Sequence, residues 1–406
     1  MSSRFVLERI PEKNQGDILL VFSLIILSGI GLAALFSSSY HVGMLLMGDP
    51  YFFIKKQVLF LAAGGALAFL TSRISLDWLR GHSGILFLII LLLNLCPLIP
   101  GLGNEIMGAR RWFFIGPVSI QPSELAKAVL VLHLANLFAR NEDRLQDFGN
   151  VIVPPLVASF LLAVIIIVLQ NDYSTGAMVL LIMLLIFFIA RVRMPVIFAL
   201  LGTMALMAAL MLVSKEHRVM RLVSFFLPNS DPEGTGYQLI ASQSALSRGS
   251  LWGVGLGRGI KKLGALPEVQ SDFIFASLGE EIGFFGVLAV VVLFVLFALR
   301  GFWLAYHSGD TFLYLLGMGY SCAILFQALC NMAVVIGLVP ATGIPLPFFS
   351  AGGSALLSAF IMAGFLINIS RIPASPNHRR HQGPDSLPSK LKHKAGDRAF
   401  RTGGAP

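Results

Sequence analysis

Asp272 stands where a hydrophilic loop meets a hydrophobic run, Phe273–Ile274–Phe275. A carboxylate at such a boundary loses part of its hydration, which raises its pKa toward the range useful to a general base or acid. Helix capping is the other reading of the same position. Glu280 and Glu281 follow two turns deeper. Adjacent residues point about 100° apart on a helix, so these two do not form one dyad, and pairing with Arg or Lys is the alternative to a catalytic role. Upstream, Gly108–Lys127 reads GARRWFFIGPVSIQPSELAK. Arg110 and Arg111 place two guanidiniums side by side, suited to a diphosphate, and Trp112 suits a sugar ring or the headgroup belt. Contact with bulk lipid phosphates is the plainer role for the arginines.

Further along the same stretch, Pro122 fits the first turn of a helix that Gln121 or Ser119 can cap. Glu124 and Lys127 are three apart and share a face, about 8 Å inside the helix end. Ionisable groups at membrane depth are costly and face a protein or water-filled interior. The face is therefore either a polar cavity lined by Gln121, Glu124 and Lys127 or a bare ion pair that orients helices. Asp172, in the turn Gln170–Asn171–Asp172, is a third acid, with a cap or turn as its ordinary role. Ser350 and Ser354 lie in the bent, Pro/Gly-rich connection Asn331–Ser354, where hydroxyls either line a cavity or close loop amides.

Long apolar segments must carry these groups. The chain has 406 residues, 56% hydrophobic and 13% charged, against roughly 25% charged in a soluble domain. Its apolar residues come in blocks long enough to cross a bilayer as helices. The expected fold is an all-α polytopic membrane protein with ten transmembrane helices, near 18–38, 56–71, 84–99, 119–138, 151–170, 174–190, 195–213, 273–299, 311–338 and 353–370. Arg73, Arg80, Arg140, Arg144, Arg191, Arg193 and Arg300 fall on the side of the N-terminus, while short loops on the other side hold only Lys55, Lys56, Arg110 and Arg111. By the positive-inside rule both termini are cytoplasmic, which makes the large loop 214–272, between helices 7 and 8, external. The organisation expected is a cytoplasmic N-terminus over 1–17, a membrane domain over 18–372, and a basic, disordered cytoplasmic tail over 373–406. The first apolar run is too long for a cleaved signal peptide and is read as the first span.

Several function classes fall away. Cys96, Cys322 and Cys330 lie in apolar segments at no metal-binding spacing. GVGLGRG lacks a preceding strand and a following GK[ST], so no nucleotide site is expected. The net charge of +9 reflects the basic tail and does not point to nucleic acid. No matched pair of broken helices suggests an inverted-repeat transporter.

Taken in order, GARRW…SIQPSELAK, Gln170-x-Asp172, GTGYQ…GVGLG…LPE…DFIFASLGEEIGFFG and GLVPATGIPLPFFSAGGS closely resemble the SEDS family of bacterial cell-wall proteins, over about residues 15–372. The resemblance implies a peptidoglycan glycosyltransferase that polymerises lipid II, the undecaprenyl-diphosphate-linked disaccharide peptide, at the outer face of the cytoplasmic (inner) membrane. It implies a class B penicillin-binding protein transpeptidase and other division proteins as partners, and the division septum as location. The family's essential external carboxylate falls on Asp272, which would act as general base. Arg110, Arg111, Lys127 or a bound divalent cation (Mg2+ or Mn2+) would offset charge on the diphosphate leaving group. GVGLG with a KKL run is more similar to the FtsW branch than to the RodA branch. An elongation-type polymerase, a lipid II flippase and a non-catalytic division scaffold are the other readings. The sequence departs from the family pattern at Gln270–Ser271, where His-Thr is common, at QNDYST, and at SAGGSA, so no role for that histidine carries over.

Overall fold

The structure is a computed structural model that describes residues 16–372, except 107, 117, 146, 214–215, 232–233 and 264–267. The 1–15 segment and the 373–406 tail expected from the sequence lie outside the described residues. Each segment read as a span is helical: α1 (Ile18–Met47), α2 (Phe52–Thr71), α3 (Leu76–Leu93), α4 (Pro122–Arg140), α5 (Val153–Val164, extended by a wide π turn over Ile165–Leu169), α6 (Tyr173–Ile189), α7 (Met194–Val213), α10 (Ile274–Tyr306), α11 (Thr311–Ile336) and α12 (Gly353–Ser370). Two more helices, α8 (Glu216–Phe226) and α9 (Thr235–Gly249), lie in the long loop. Among the described residues, seven segments are long and apolar enough by themselves to cross a bilayer. α6 and α7 offer shorter apolar stretches, and α4 carries Glu124, Lys127 and Arg140.

α4 is the least apolar of the helices read as spans and sits at the centre, packed against α3, α6, α11 and α12. Its core side chains, from Ala126 to Phe138, are almost wholly enclosed. The outer helices instead expose their apolar faces, as Ile25 on α1 and Phe198 on α7 do. That inside-out pattern is what a lipid solvent permits.

The two ends of the bundle differ in charge. At one end Asp17 caps α1 through Leu20 N–H (2.9 Å), its own N–H donates to Ser370 Oγ (2.9 Å), and Arg300 pairs with its carboxylate. Arg80 reaches Asp310 (3.4 Å) and Arg371 reaches the Ser72 carbonyl (3.0 Å) at the same end. Residues 17 and 370 thus meet at one basic face, as an even number of crossings requires. The opposite end carries α8, α9, the connection 337–352 and a small antiparallel sheet, β1 (Gly103–Ile106), β2 (Ala109–Ile115) and β3 (Val118–Ile120), in the order β1-β2-β3.

That sheet is an addition to the expected helices, because GARRW is a strand and not a loop entering a helix. The long loop is also packed onto the bundle. From Thr235 it forms α9, which docks on α10 and α11: Ala241, Ser242 and Ala245 are buried, and Ser242 donates to the Val335 carbonyl (2.6 Å).

The glycine-rich stretch has a structural task. α10 breaks at Gly283, whose φ is +68°. The segment 250–255 lies along the break: Val254 and Gly255 N–H donate to the carbonyls of Glu280 and Glu281 (both 3.0 Å), and Phe284 N–H donates to Ser250 (2.9 Å). A Cβ on Gly253 would sit 2.1 Å from the Glu281 oxygen, and one on Gly283 2.2 Å from the Gly253 nitrogen. Only glycines allow two backbones this close.

Candidate active site

Asp272 lies in the turn before α10, with Ser271 and Asp272 N–H both donating to Glu268 O (3.0 and 3.1 Å). α10 begins on Phe273 with no side-chain cap, so Asp272 is not a helix cap. The backbone around it is clamped. Asn331 of α11 donates through Nδ2 to the carbonyls of Asp272 and Ile344 (both 2.8 Å). Ser350 Oγ donates to Ser271 O (2.5 Å) and accepts from Leu346 N–H (2.8 Å), and Ala351 N–H donates to Gln270 O (2.9 Å).

The carboxylate itself is left free. No described side chain hydrogen-bonds it, and one oxygen lies 3.3 Å from where a Cβ on Gly343 (φ +70°) would stand. Burial, and then repulsion from Glu268, push its pKa up to about 6, against the pull of Arg111 and Arg221. A half-buried carboxylate near neutrality with guanidiniums beside it can accept a proton while an anion is held close by.

Arg111 belongs to a second cluster. Its Nη1 lies 3.1 Å from Asp172 Oδ1, and its guanidinium stacks 4.2 Å from the Trp112 ring. Asp172 also accepts from Gln121 Nε2 (2.8 Å) and caps α6 through Thr175 N–H (3.3 Å). Ser174 donates to the Thr342 carbonyl, which ties this cluster to the connection beside Asp272. The Arg111 Nε is enclosed and unpartnered.

Arg110 takes no part. Strand residues alternate faces, so Arg110 turns outward onto Glu105 (3.1 Å), both side chains half exposed. The expected pair of convergent guanidiniums is therefore replaced by Arg111 from β2 and Arg221 from α8.

Other candidates are structural. Ser350 makes the clamp described above, and Ser354 Oγ accepts from Gln121 N–H (2.9 Å), tying the start of α4 to α12. Neither is a free cavity hydroxyl. Gln121 holds Asp172 and does not cap α4. Glu280 is fully enclosed. It accepts from Ile260 and Lys261 N–H (both 3.1 Å) and faces Arg248 (3.2 Å). Glu281 meets Lys262 (2.5 Å) and Ser37 (2.6 Å). These two buried acids, each engaged by a cation of the long loop or α9 and by further donors, are pairing groups that fix the long loop on α10 and α1.

Glu124 and Lys127 do face the protein interior. Lys127 Nζ lies 2.8 Å from Glu124 Oε2 and donates to Gln327 Oε1 (2.6 Å), whose Nε2 donates to Pro345 O (3.0 Å). The Lys127–Glu124 contact is Coulombic and not aligned as a hydrogen bond, since Oε2 has no hydrogen-bond donor. The chain Glu124–Lys127–Gln327–Pro345 carries a buried charge pair up to the connection that covers Asp272.

Gln327 and Arg221 are not among the candidates the sequence offers, and Asn331 and Gly343 enter there only as parts of the bent connection, with no role at the site. Gln327 and Asn331 carry a readable signal, being polar side chains deep in an apolar helix. Arg221 and Gly343 carry none. Among the described residues no group of three or more His, Cys, Asp or Glu could hold a metal ion. Among the described residues, Glu268 is the one acid that acts on Asp272, and it is opposed by two arginines, a surrounding unlike the carboxylate-rich sites that hold Mg2+ or Mn2+.

A multi-pass helical bundle with an unpartnered, half-buried carboxylate at its less basic end defines a membrane protein with a candidate acid–base site at one end of the bundle. The chain belongs to the FtsW/RodA/SpoVE family of cell cycle proteins, whose sequence profile matches residues 17–374. It is 37% identical over 350 residues to a protein of Borreliella burgdorferi named probable peptidoglycan glycosyltransferase FtsW, covering 86% of this chain and 94% of that one. It is 36% identical to the stage V sporulation protein E of Bacillus subtilis, covering 89% and 98%. A solved structure, described as a peptidoglycan synthase complex coordinating polymerization and crosslinking, superposes with a TM-score of 0.70 at 27% identity, over 91% of this chain and 99% of that one.

Proposed function

We propose that this chain is a peptidoglycan glycosyltransferase that polymerises lipid II at the outer face of the cytoplasmic membrane, in the division-type role of its FtsW-named relatives. The observation that carries the reading is the free carboxylate of Asp272, raised to about 6 and left without a hydrogen-bond partner among the described residues. As base, Asp272 takes the proton of the acceptor sugar's 4-hydroxyl. That oxygen bonds to the anomeric carbon of the lipid-linked donor, and the bond from that carbon to the diphosphate breaks. Arg111, held by Asp172 and Trp112, supports the departing charge. The donor is already activated, so no nucleotide enters. A divalent cation, where one is used, would arrive on the substrate phosphates, since the protein supplies few carboxylates for it.

The reading also takes a class B penicillin-binding protein as partner, supported by the likeness to the synthase complex, and a septal location, supported by the relatives' names. A direct test supplies purified protein, with such a partner, with labelled lipid II in detergent and resolves the products by size. A ladder of glycan strands is expected. Transfer of labelled lipid II across liposomes with no strand formation would support the flippase reading instead.

A further inference from the structure

A groove of about 470 Å³ runs between α1, α2 and α12 at the basic end of the bundle, remote from Asp272. Leu24, Leu61, Ala68 and Phe360 supply apolar walls. Its lining runs from Val21 to Leu32 on α1 and from Leu61 to Ser72 on α2, about 16 Å along each helix axis at 1.5 Å per residue. Two glycines keep it open. A Cβ on Gly29 or on Gly65 would meet nothing within 4 Å, whereas one on neighbouring Gly64 would strike the Phe360 ring at 2.7 Å. Gly64 is there for packing, and Gly65 and Gly29 leave room.

The mouth of this groove is cationic and uncompensated. Arg371 lines it and donates to Ser72 O (3.0 Å). Arg73 lies 5.0 Å from the ring of Phe69, another wall residue. Neither guanidinium has an ion pair among the described residues, and the nearby Asp17 is taken by Arg300 and by the Leu20 amide. A long apolar slot ending at unpaired guanidiniums fits an amphiphile with one chain and an anionic head.

We propose that the α1–α2–α12 groove is a binding site for an anionic phospholipid of the leaflet at the basic end, with one acyl chain between Gly29 and Gly65 and the phosphate on Arg371 and Arg73. The site stands apart from the proposed reaction. It would make the packing of α1 on α2 and α12, and so the fit of α1 around the long loop through Ser37, sensitive to membrane composition.

The test is native mass spectrometry of the full chain released from detergent with phosphatidylglycerol, phosphatidylethanolamine or undecaprenyl phosphate. Wild type should retain one phosphatidylglycerol, at least about tenfold over phosphatidylethanolamine, the factor expected of one charge-assisted hydrogen bond. Gly65→Leu, which fills the slot, and the double variant Arg73→Gln/Arg371→Gln should each lower retention about tenfold, with lipid-free Tm unchanged. If Gly65→Leu lowers that Tm, Gly29→Leu tests the slot from the other wall. Equal retention of phosphatidylethanolamine, or unchanged retention in the slot and arginine variants, overturns the proposal. Displacement of phosphatidylglycerol by an equal concentration of undecaprenyl phosphate overturns it too, since the slot would then serve the polyprenyl carrier.

Discussion

Replacing Asp272 with Asn should stabilise the protein, and the gain should depend on pH. The carboxylate is raised from 3.8 to about 6, chiefly by burial. A rise of about two units at 1.36 kcal/mol each costs the folded state about 3 kcal/mol once the group is charged. The side chain is partly open to solvent, so that figure is a ceiling. Below about pH 4 the group is protonated in both folded and unfolded chains and costs nothing. The cost grows as pH rises between the two values and is complete above about pH 6. Asn is nearly isosteric and uncharged, so it removes the cost at high pH and changes little at low pH. Thermal unfolding of wild type and Asp272→Asn in the same detergent, from pH 4 to pH 8, reads the difference. The variant should melt a few degrees higher at pH 8 and about level at pH 4. A variant no more stable than wild type at pH 8, or a gap of the same size at pH 4, would refute the reasoning that Asp272 is held charged against its surroundings.

Three further outcomes follow from the same geometry. Arg111→Ala should cut lipid II polymerisation by at least about tenfold, since it removes a charge-assisted contact, while Arg110→Ala should stay within about twofold, because Arg110 faces Glu105 and solvent. Glu124→Gln and Lys127→Met should each cost about 3–5 kcal/mol by leaving one buried charge alone, and the double variant should cost clearly less than the sum, read as Tm shifts. The polymerisation rate at low substrate should rise with pH through about 6 and then level, because the base acts only when ionised; a rate falling across that range would contradict the role.

Much of the frame was legible because lipid imposes one pattern: apolar runs of spanning length, with arginines gathered at one end. Each expected span is a helix, and residues 17 and 370 do meet at the basic face. Asp272 was legible for the same reason, as a carboxylate at the edge of an apolar run. What escaped depended on local geometry that no run of letters encodes. The strand β2 alternates its faces, so neighbours Arg110 and Arg111 part company. Glu280 and Glu281 look as available as Asp272, yet the fold spends them on backbone amides and on Lys262 and Arg248. Ser350 and Ser354 were readable as hydroxyls of a bent connection, but their service to loop amides and carbonyls depends on where Ser271 and Gln121 fall in space. Arg221 reaches the site only because α8 folds back over Phe273.

In the proposed mechanism the Asp272 carboxylate performs the proton transfer of glycan polymerisation. Its most direct measurement compares wild type with Asp272→Asn in lipid II polymerisation, each purified with the same class B penicillin-binding protein and each shown by its melting curve to be folded. Wild type should form strands, and a variant at least as stable should form none. Undiminished strand formation by that folded variant would contradict the mechanism, and would move the base elsewhere in the site.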